Sequence, residues 1–215
     1  MADIDLPTRQ PEPIIITVLR ATNPLRGQKG DTLTALVKLE YIDRPLGESA
    51  KVDCGADKPA EFNYNATVTI LFEDPANLDD TAHRPVLCTV MEVLPKEKKQ
   101  KDEKTIVLGQ CFIDLFPLLQ GETKYKTSLN IIPTQGSPLD NLPADHPKAE
   151  IDVQLSVNEP LLTEMQRKDA NLMSVTMETL FSPPDSWAIG GAAQGFTYVA
   201  AMPMPLSADI VTIDG

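Results

Sequence analysis

The chain has few of the side chains that carry catalysis or bind metals. It contains two histidines, His83 and His146, and three widely spaced cysteines, Cys54, Cys88 and Cys111. The histidines do not form a metal-ligand pair, and neither a Gly-x-Ser-x-Gly nor a His-Glu-x-x-His motif occurs. The sequence therefore predicts no catalytic residue, no metal site, no cofactor and no small-molecule substrate. The cysteines fall in or beside strand-like segments, and we expect reduced, mostly buried thiols of a cytosolic protein.

Basic residues are also in the minority, because 19 lysines and arginines stand against 31 acidic residues, for a net charge of -12. Nucleic-acid binding usually leaves a basic footprint, so we expect no nucleic-acid partner. No apolar run approaches the roughly 20 residues that span a bilayer, and no signal peptide is visible at the N-terminus. The hydrophobic fraction of 42% is ordinary for a soluble globular protein.

Strict alternation of apolar and polar residues is the main structural signal. Odd-numbered residues from Leu33 to Tyr41 are apolar, as are even-numbered residues from Phe62 to Phe72, so each run has one apolar face. Two sheets that each bury one face make a sandwich, and we predict an all-β, antiparallel Greek-key β-sandwich of about eight strands. The candidate strands are residues 14–21, 33–41, 50–54, 62–72, 86–93, 105–114, 125–131 and 148–157.

The chain divides into four predicted regions. Residues 1–12 are polar and form a flexible tail, residues 13–158 form the sandwich, and residues 159–170 form a connector. Short helices are expected at residues 114–120 and 160–168. Residues 171–215 hold two further strand patterns, at 172–180 and 196–201, and are either an extension that packs on the sandwich or a partial second β domain. We favour the start of a second β domain.

Five lysines stand close together between the strands predicted at residues 86–93 and 105–114. We call residues 94–104 the lysine loop. Its lysines could bind anionic lipid headgroups, at about 1 kcal/mol per basic residue, or an acidic protein surface. The alternative is a solvated loop that binds no partner, since three acidic neighbours partly cancel the charge of the lysines. The net charge of the chain opposes approach to a membrane, which favours a protein partner. The lysines are Lys96, Lys98, Lys99, Lys101 and Lys104.

Residues 13–158 resemble a C2 domain. The resemblance rests on Gly30-Asp31-Thr32 before a strand, on residues 59–63 as a turn into a later strand, and on residues 108–110 after the lysine loop. It implies that calcium, where bound, is held by carboxylates of two loops. Asp31 has a ligand-like position in the first, but Glu92 and Leu94 occupy the Asp-x-Asp positions of the second, and lysines follow. We therefore expect no calcium site and interpret Asp31 as a turn residue.

Residues 93–101 and 104–110 further resemble the N-terminal region of the cilia- and flagella-associated protein 70 family, as do residues 46–49, 82–85, 136–139 and 159–162. The resemblance implies an axonemal protein of motile cilia and flagella that is cytoplasmic before assembly, and whose full length continues into tetratricopeptide repeats. We expect a non-enzymatic assembly module with axonemal partners, in microtubule-associated or dynein-linked complexes. The alternative is a peripheral membrane module that binds anionic lipid through the lysine loop.

Overall fold

The computed structural model describes residues 13–22, 32–55, 58–70, 75–95, 103–142 and 147–170 of the 215. All of them lie in the first of two units into which the chain divides, Met1–Asn171. The predicted tail at residues 1–12 and the predicted second β domain at residues 171–215 lie outside the described residues. No helix in the described part of the chain is long and apolar enough to cross a membrane.

Ten strands and three short helices make up the described part of the chain. The helices are α1 (Pro75–His83), α2 (Phe116–Leu119) and α3 (Glu164–Ala170). The strands are β1 (Pro13–Thr22), β2 (Thr32–Tyr41), β3 (Arg44–Glu48), β4 (Val52–Gly55), β5 (Ala60–Thr69), β6 (Val86–Val93), β7 (Thr105–Ile113), β8 (Lys124–Asn130), β9 (Ile132–Pro133) and β10 (Glu150–Ser156).

The strands form two antiparallel sheets. The first has the order β5-β1-β10-β8, and the second has the order β3-β2-β6-β7-β9. The strand β4 also belongs to the second sheet, because β3 and β4 pair with opposite halves of the same edge of β2. The two apolar faces enclose one core, since alternating residues on β1, β2, β6 and β10 are buried. The predicted all-β sandwich is confirmed.

Alternation in the sequence maps directly onto burial. All five odd-numbered residues from Leu33 to Tyr41 are buried, and so are Ile151, Val153 and Leu155 on β10. Each fully buried aliphatic side chain contributes about 1.5–3 kcal/mol relative to an exposed one. The core also includes residues outside the strands. The helix α2 adds two leucines, and the segment before α3 adds Leu161 and Leu162.

A bulge in β1 changes which side of the sheet its last residues face. Val18 lies opposite Val153, whereas Arg20 lies opposite Asp152, so β1 has one extra residue relative to β10. Such a bulge re-aims the residues that follow it. It places Arg20 on the outer face, with its Nε 3.0 Å from Asp152 Oδ2. The hydroxyl of Ser128 on β8 donates to the other carboxylate oxygen, so the network ties three strands together.

Three elements were missed from the sequence, for local reasons. The strand β3 contains Pro45 and Gly47, which are depleted in strands, and β9 has only two residues. The helix α1 has a weak apolar face and no acidic residue in its first turn. The helix predicted at 160–168 begins four residues later, at Glu164. Thr163 and Gln166 explain this start, because they form a capping box. The side chain of each residue accepts a hydrogen bond from the backbone N–H of the other.

The turn between β2 and β3 holds a β-branched residue in a left-handed conformation. Ile42 has φ 48° and Asp43 has φ 58°, as in a two-residue hairpin turn that favours Asn and Gly. Such a φ costs roughly 1–2 kcal/mol for a residue with a Cβ but almost nothing for glycine. We therefore expect Ile42→Gly to be more stable than Ile42→Ala by about 1 kcal/mol, which reverses the usual order. Urea unfolding of both variants tests this, and a more stable alanine variant would contradict the strain.

Candidate partner-binding rim

Three connections leave the sandwich at the same end. They follow β1, β4 and β6, and the strand register brings them together. Thr32 at the start of β2 lies opposite Gly55 at the end of β4. Val93 at the end of β6 lies opposite Thr105 at the start of β7, and the end of β1 pairs with the start of β5. We call this end of the sandwich the loop rim.

The lysine loop is anchored at this rim by the hairpin of β6 and β7. Beyond the pair of Val93 and Thr105, the N–H of Leu94 donates to the carbonyl of Lys104 at 2.8 Å. Lys104 is exposed to solvent. The other predicted contact residues, Lys96, Lys98, Lys99 and Lys101, lie outside the described residues. The structure therefore shows that both ends of the loop emerge from the rim, on two central strands of the second sheet.

An open cavity of about 650 Å³ lies beside the base of the loop. The cavity is lined by both apolar and ionisable side chains. The ammonium group of Lys51 forms an ion pair with Glu103, which links the connection before β4 to the end of the lysine loop. The hydroxyl of Thr34 donates to Asp53 Oδ1 at 2.7 Å. The lining residues are Thr32, Leu33, Thr34, Lys51, Asp53, Glu92, Val93, Leu94, Pro95 and Glu103.

The rim carboxylates do not converge on one point. Within the described ranges, no group of three or more His, Cys, Asp or Glu side chains could hold a metal ion. Calcium takes six to eight oxygen ligands, whereas Glu103 is held by an ammonium group and Asp53 by a hydroxyl. Asp31, the ligand-like residue of the first loop, lies outside the described residues.

The thiols of Cys54 and Cys88 are not activated as nucleophiles. All three cysteines are unpaired and buried, as the sequence predicts. Burial raises the pKa of Cys54 to about 11, so this thiol is protonated at neutral pH and is a poor nucleophile. Cys88 and Cys111 lie directly opposite each other on β6 and β7. Their mutual hydrogen bond and then burial raise the pKa of Cys88 well above its usual value.

His83, the histidine in the described part of the chain, also lacks a catalytic setting. His83 is the last residue of α1, and its Nδ1 lies 3.2 Å from Asp79 Oδ1 on an exposed surface. His146 lies outside the described residues. Sequence reasoning missed the cavity, and with it Lys51 and Asp53. Its lining comes from several separate segments of the chain, and no local motif marks any of them.

The sandwich and its loop rim lie within a stretch of the sequence that matches a known family. The family of the Cilia and flagella-associated protein 70 N-terminal domain matches this chain at residues 10–178. The chain belongs to this family. Two similar proteins are the Cilia- and flagella-associated protein 70 of Macaca fascicularis and that of Homo sapiens. Each is 41% identical over 172 residues, or 80% of this chain.

The chain spans only a small part of these relatives, 17% of the macaque protein and 15% of the human protein. These relatives are therefore several times longer than this chain. The family that the sequence resembles is thereby confirmed.

The fold also matches solved structures. One is CC2D1B, which coordinates ESRCT-III activity during the mitotic reformation of the nuclear envelope. It has 12% sequence identity and a TM-score of 0.54 over 78% of this chain and 62% of that one. The C2A domain of plant Extended Synaptotagmin 1 matches with 13% identity and a TM-score of 0.43, over 73% of this chain and 100% of that one. The predicted C2-like, all-β fold is confirmed.

Proposed function

We propose that this chain is a non-enzymatic assembly module of the axoneme of motile cilia and flagella. It docks by its loops and sheet edges onto axonemal proteins, in microtubule-associated or dynein-linked complexes, and is cytoplasmic before assembly. The observation that carries the proposal is the anchoring of the lysine loop on a closed hairpin at the loop rim. A rigid sandwich that presents variable loops is a common design for binding.

The charge of the loop defines the kind of partner surface. Five lysines stand in or at the end of the loop of a chain whose net charge is -12. A basic loop on an acidic protein favours a local acidic patch on the partner and disfavours a broad negative surface, such as a membrane. Charges at the edge of an interface change the association rate and the salt dependence more than the final affinity. Binding by Lys96, Lys98, Lys99, Lys101 and Lys104 should therefore weaken as salt rises.

Docking is proposed to be independent of calcium. The basic loop stands where a calcium-binding C2 domain carries carboxylates, and Lys51 neutralises Glu103 at the loop base. A bare dication placed at the rim would meet ammonium groups as well as carboxylates. Retention of the chain on its partner should therefore be the same in excess calcium and in a calcium chelator.

The test is retention of the tagged 215-residue chain on detergent-extracted axonemes of a ciliated cell. We expect Lys98→Glu, Lys99→Glu and Lys101→Glu together to weaken retention about tenfold, which is 1.4 kcal/mol. The matched control reverses Lys38, Lys148 and Lys168, which changes the net charge equally but leaves the loop intact. The control should be retained like the wild type.

Two results would overturn the proposal. One is a diffuse cytosolic signal of the wild-type chain that is absent from extracted axonemes. The other is flotation of the chain with anionic liposomes that is lost on the same loop reversal, while axoneme retention is unchanged. The second result would assign the lysine loop to a lipid surface.

A further inference from the structure

Within the described part of the chain, β8 (Lys124–Asn130), a regular strand of seven residues, forms an edge of the four-stranded sheet. Its partner β10 covers one side of it only. Side chains at even positions are exposed along its whole length, and those at odd positions are half-buried. The strand therefore runs along the surface with one row of backbone groups turned away from the sheet.

The hydrogen-bond pattern identifies those groups. The N–H of Ile131 donates to Ala149 and the N–H of Val157 donates to Thr123, so odd-numbered residues of β8 bond to β10. Antiparallel pairing alternates, and the peptide groups of even-numbered residues point outwards. Among the described residues, none of these groups has a backbone partner. One carbonyl, that of Ser128, has a long contact of 3.5 Å with the hydroxyl of Thr127.

The other described sheet edges are less suited to pairing, and one of them, β4, has only four residues. The strand β3 contains Pro45 and Gly47, and its pairing with β2 shifts register. The strand β9 has two residues, one of which is Pro133. The strand β5 is bent at Asn63, which has φ 46°. Proline, bulges, short length and lysine side chains are the usual protection of edges, and of these β8 has only its lysines, Lys124 and Lys126.

The charge on β8 selects a partner. Lys124 and Lys126 are exposed at adjacent even positions. The one buried carboxylate of this outer face, that of Asp152, is held by Ser128 and Arg20. Opposite charges directly across an antiparallel pair contribute roughly 0.2–1 kcal/mol each, and like charges cost a similar amount. A strand with carboxylates opposite the two lysines is therefore favoured over a neutral or basic one.

A second copy of the chain fits this edge less well. In the antiparallel register that pairs all four outward groups, Lys126 lies opposite Ser128 of the copy and Lys124 lies opposite Asn130. Self-pairing thus offers neither lysine a carboxylate. Lysines on an edge also discourage unspecific pairing.

We propose that β8 is a docking edge to which an axonemal partner adds an extended strand with acidic side chains at alternate positions. This rests on the proposed function, and it names the sheet edge and the chemistry of the partner segment. Strand addition gives affinity through main-chain hydrogen bonds and specificity through alternate side chains. On this edge the lysines supply the specificity and the four outward peptide groups supply the pairing.

The first test uses the 215-residue chain and a capped peptide as long as β8, with glutamate alternating with valine and threonine. The probe should slow amide exchange at Lys124, Lys126, Ser128 and Asn130. Residues between them already bond to β10 and should change little. A peptide with lysine in place of glutamate is the control and should protect these amides at least tenfold less.

Two substitutions at one position separate the backbone from the charge. Lys126→Ala removes the charge but keeps the outward N–H, and it should weaken peptide binding about threefold. Lys126→Pro removes both the charge and the N–H, and it should weaken peptide binding at least tenfold. Proline is tolerated where an edge N–H faces solvent, and an unchanged thermal midpoint confirms folding. If the proline variant does not fold, the exchange pattern of the wild type with the peptide decides alone.

Three outcomes would overturn the proposal. They are the absence of protection at the four amides, equal protection by the acidic and basic peptides, and concentration-dependent protection of the chain alone, which would make the occupant a second copy. Axoneme retention separates this inference from the function it rests on. Wild-type and Lys126→Pro chains that are retained equally refute the docking edge alone, whereas failure of the wild type to be retained refutes the proposed function.

Discussion

Gly109→Ala should lower the free energy of unfolding by about 3 kcal/mol and detach β9 from β7. A Cβ at this buried position would stand 2.5 Å from the carbonyl oxygen of Ile132 and 2.7 Å from Ile131 Cγ2. The nearest obstacle is backbone, which cannot rotate away as a long side chain can. Overpacking of this kind costs about 1–3 kcal/mol, occasionally more, and the loss of the attached segment puts the expected value at the upper end.

The segment after β9 depends on the same close approach. The N–H of Thr134 and the hydroxyl of Ser137 both donate to the carbonyl of Leu108, at 3.0 and 2.8 Å. Moving β9 away from Gly109 lengthens both hydrogen bonds and leaves that carbonyl without its protein donors. An unsatisfied buried polar group costs about 1–3 kcal/mol, so the effect should spread from β9 to the turn at residues 134–137.

Gly136→Ala is the matched control, because it isolates backbone strain from crowding. Gly136 has φ 75° and nothing within 4 Å of the position of a Cβ, so its substitution should cost about 1 kcal/mol. Urea unfolding followed by circular dichroism measures both variants. A Gly109→Ala variant that is as stable as Gly136→Ala would show that β9 does not need the close approach.

The two sheets could be predicted from the sequence because the local alternation of apolar and polar residues along each long strand indicates which side chains are buried. In β2 and β10 the residue type alternates with the side of the sheet, and the structure buries the apolar positions. The predicted bounds of β6, residues 86–93, are those of the structure. The short strands β3 and β9 carry no such signal. They form because β2 and β7 offer edges to pair with, and this depends on residues distant in the sequence.

The candidate site could be predicted only in part, for the same reason. The lysine loop connects two strands that are adjacent in the sequence, so its position at the end of a hairpin follows from local patterns. The lining of the cavity and the free edge at β8 follow from long-range pairing. The strand β8 is an edge because its one sheet neighbour is β10, and β10 pairs on its other side with β1, which is distant in the sequence. The pattern of residues 125–131 predicts a strand but does not identify the strand that pairs with it.

Asp152→Asn should lower the free energy of unfolding at neutral pH by about 2 kcal/mol. The substitution keeps the shape of the side chain and removes its charge. The carboxylate accepts from the Ser128 hydroxyl and lies 3.0 Å from Arg20 Nε. Hydrogen bonds to a charged group contribute about 1.5–3 kcal/mol each. Because the side chain of Arg20 is 48% exposed, solvent screening reduces its share.

The same network makes this difference depend on pH. The Ser128 hydrogen bond, and then the hydrogen bond and charge of Arg20, hold the pKa of Asp152 below its ordinary value of 3.8. A carboxyl group whose folded pKa is lowered contributes stability above its unfolded pKa and loses it as pH falls through the folded pKa. The gap in unfolding free energy between wild type and Asp152→Asn should therefore be constant above about pH 5 and close as pH falls below the unfolded pKa.

Glu40→Gln provides the control, as an isosteric change at an exposed carboxylate on β2 of the other sheet. Its effect should stay within about 0.5 kcal/mol. Urea unfolding of the three proteins across this pH range measures both effects. A gap that stays open at the lowest pH would place the cost of Asp152→Asn in packing. A gap that closes shows that the charge of Asp152 stabilises the fold, through its contacts with Ser128 on β8 and with Arg20 on β1 beside the bulge.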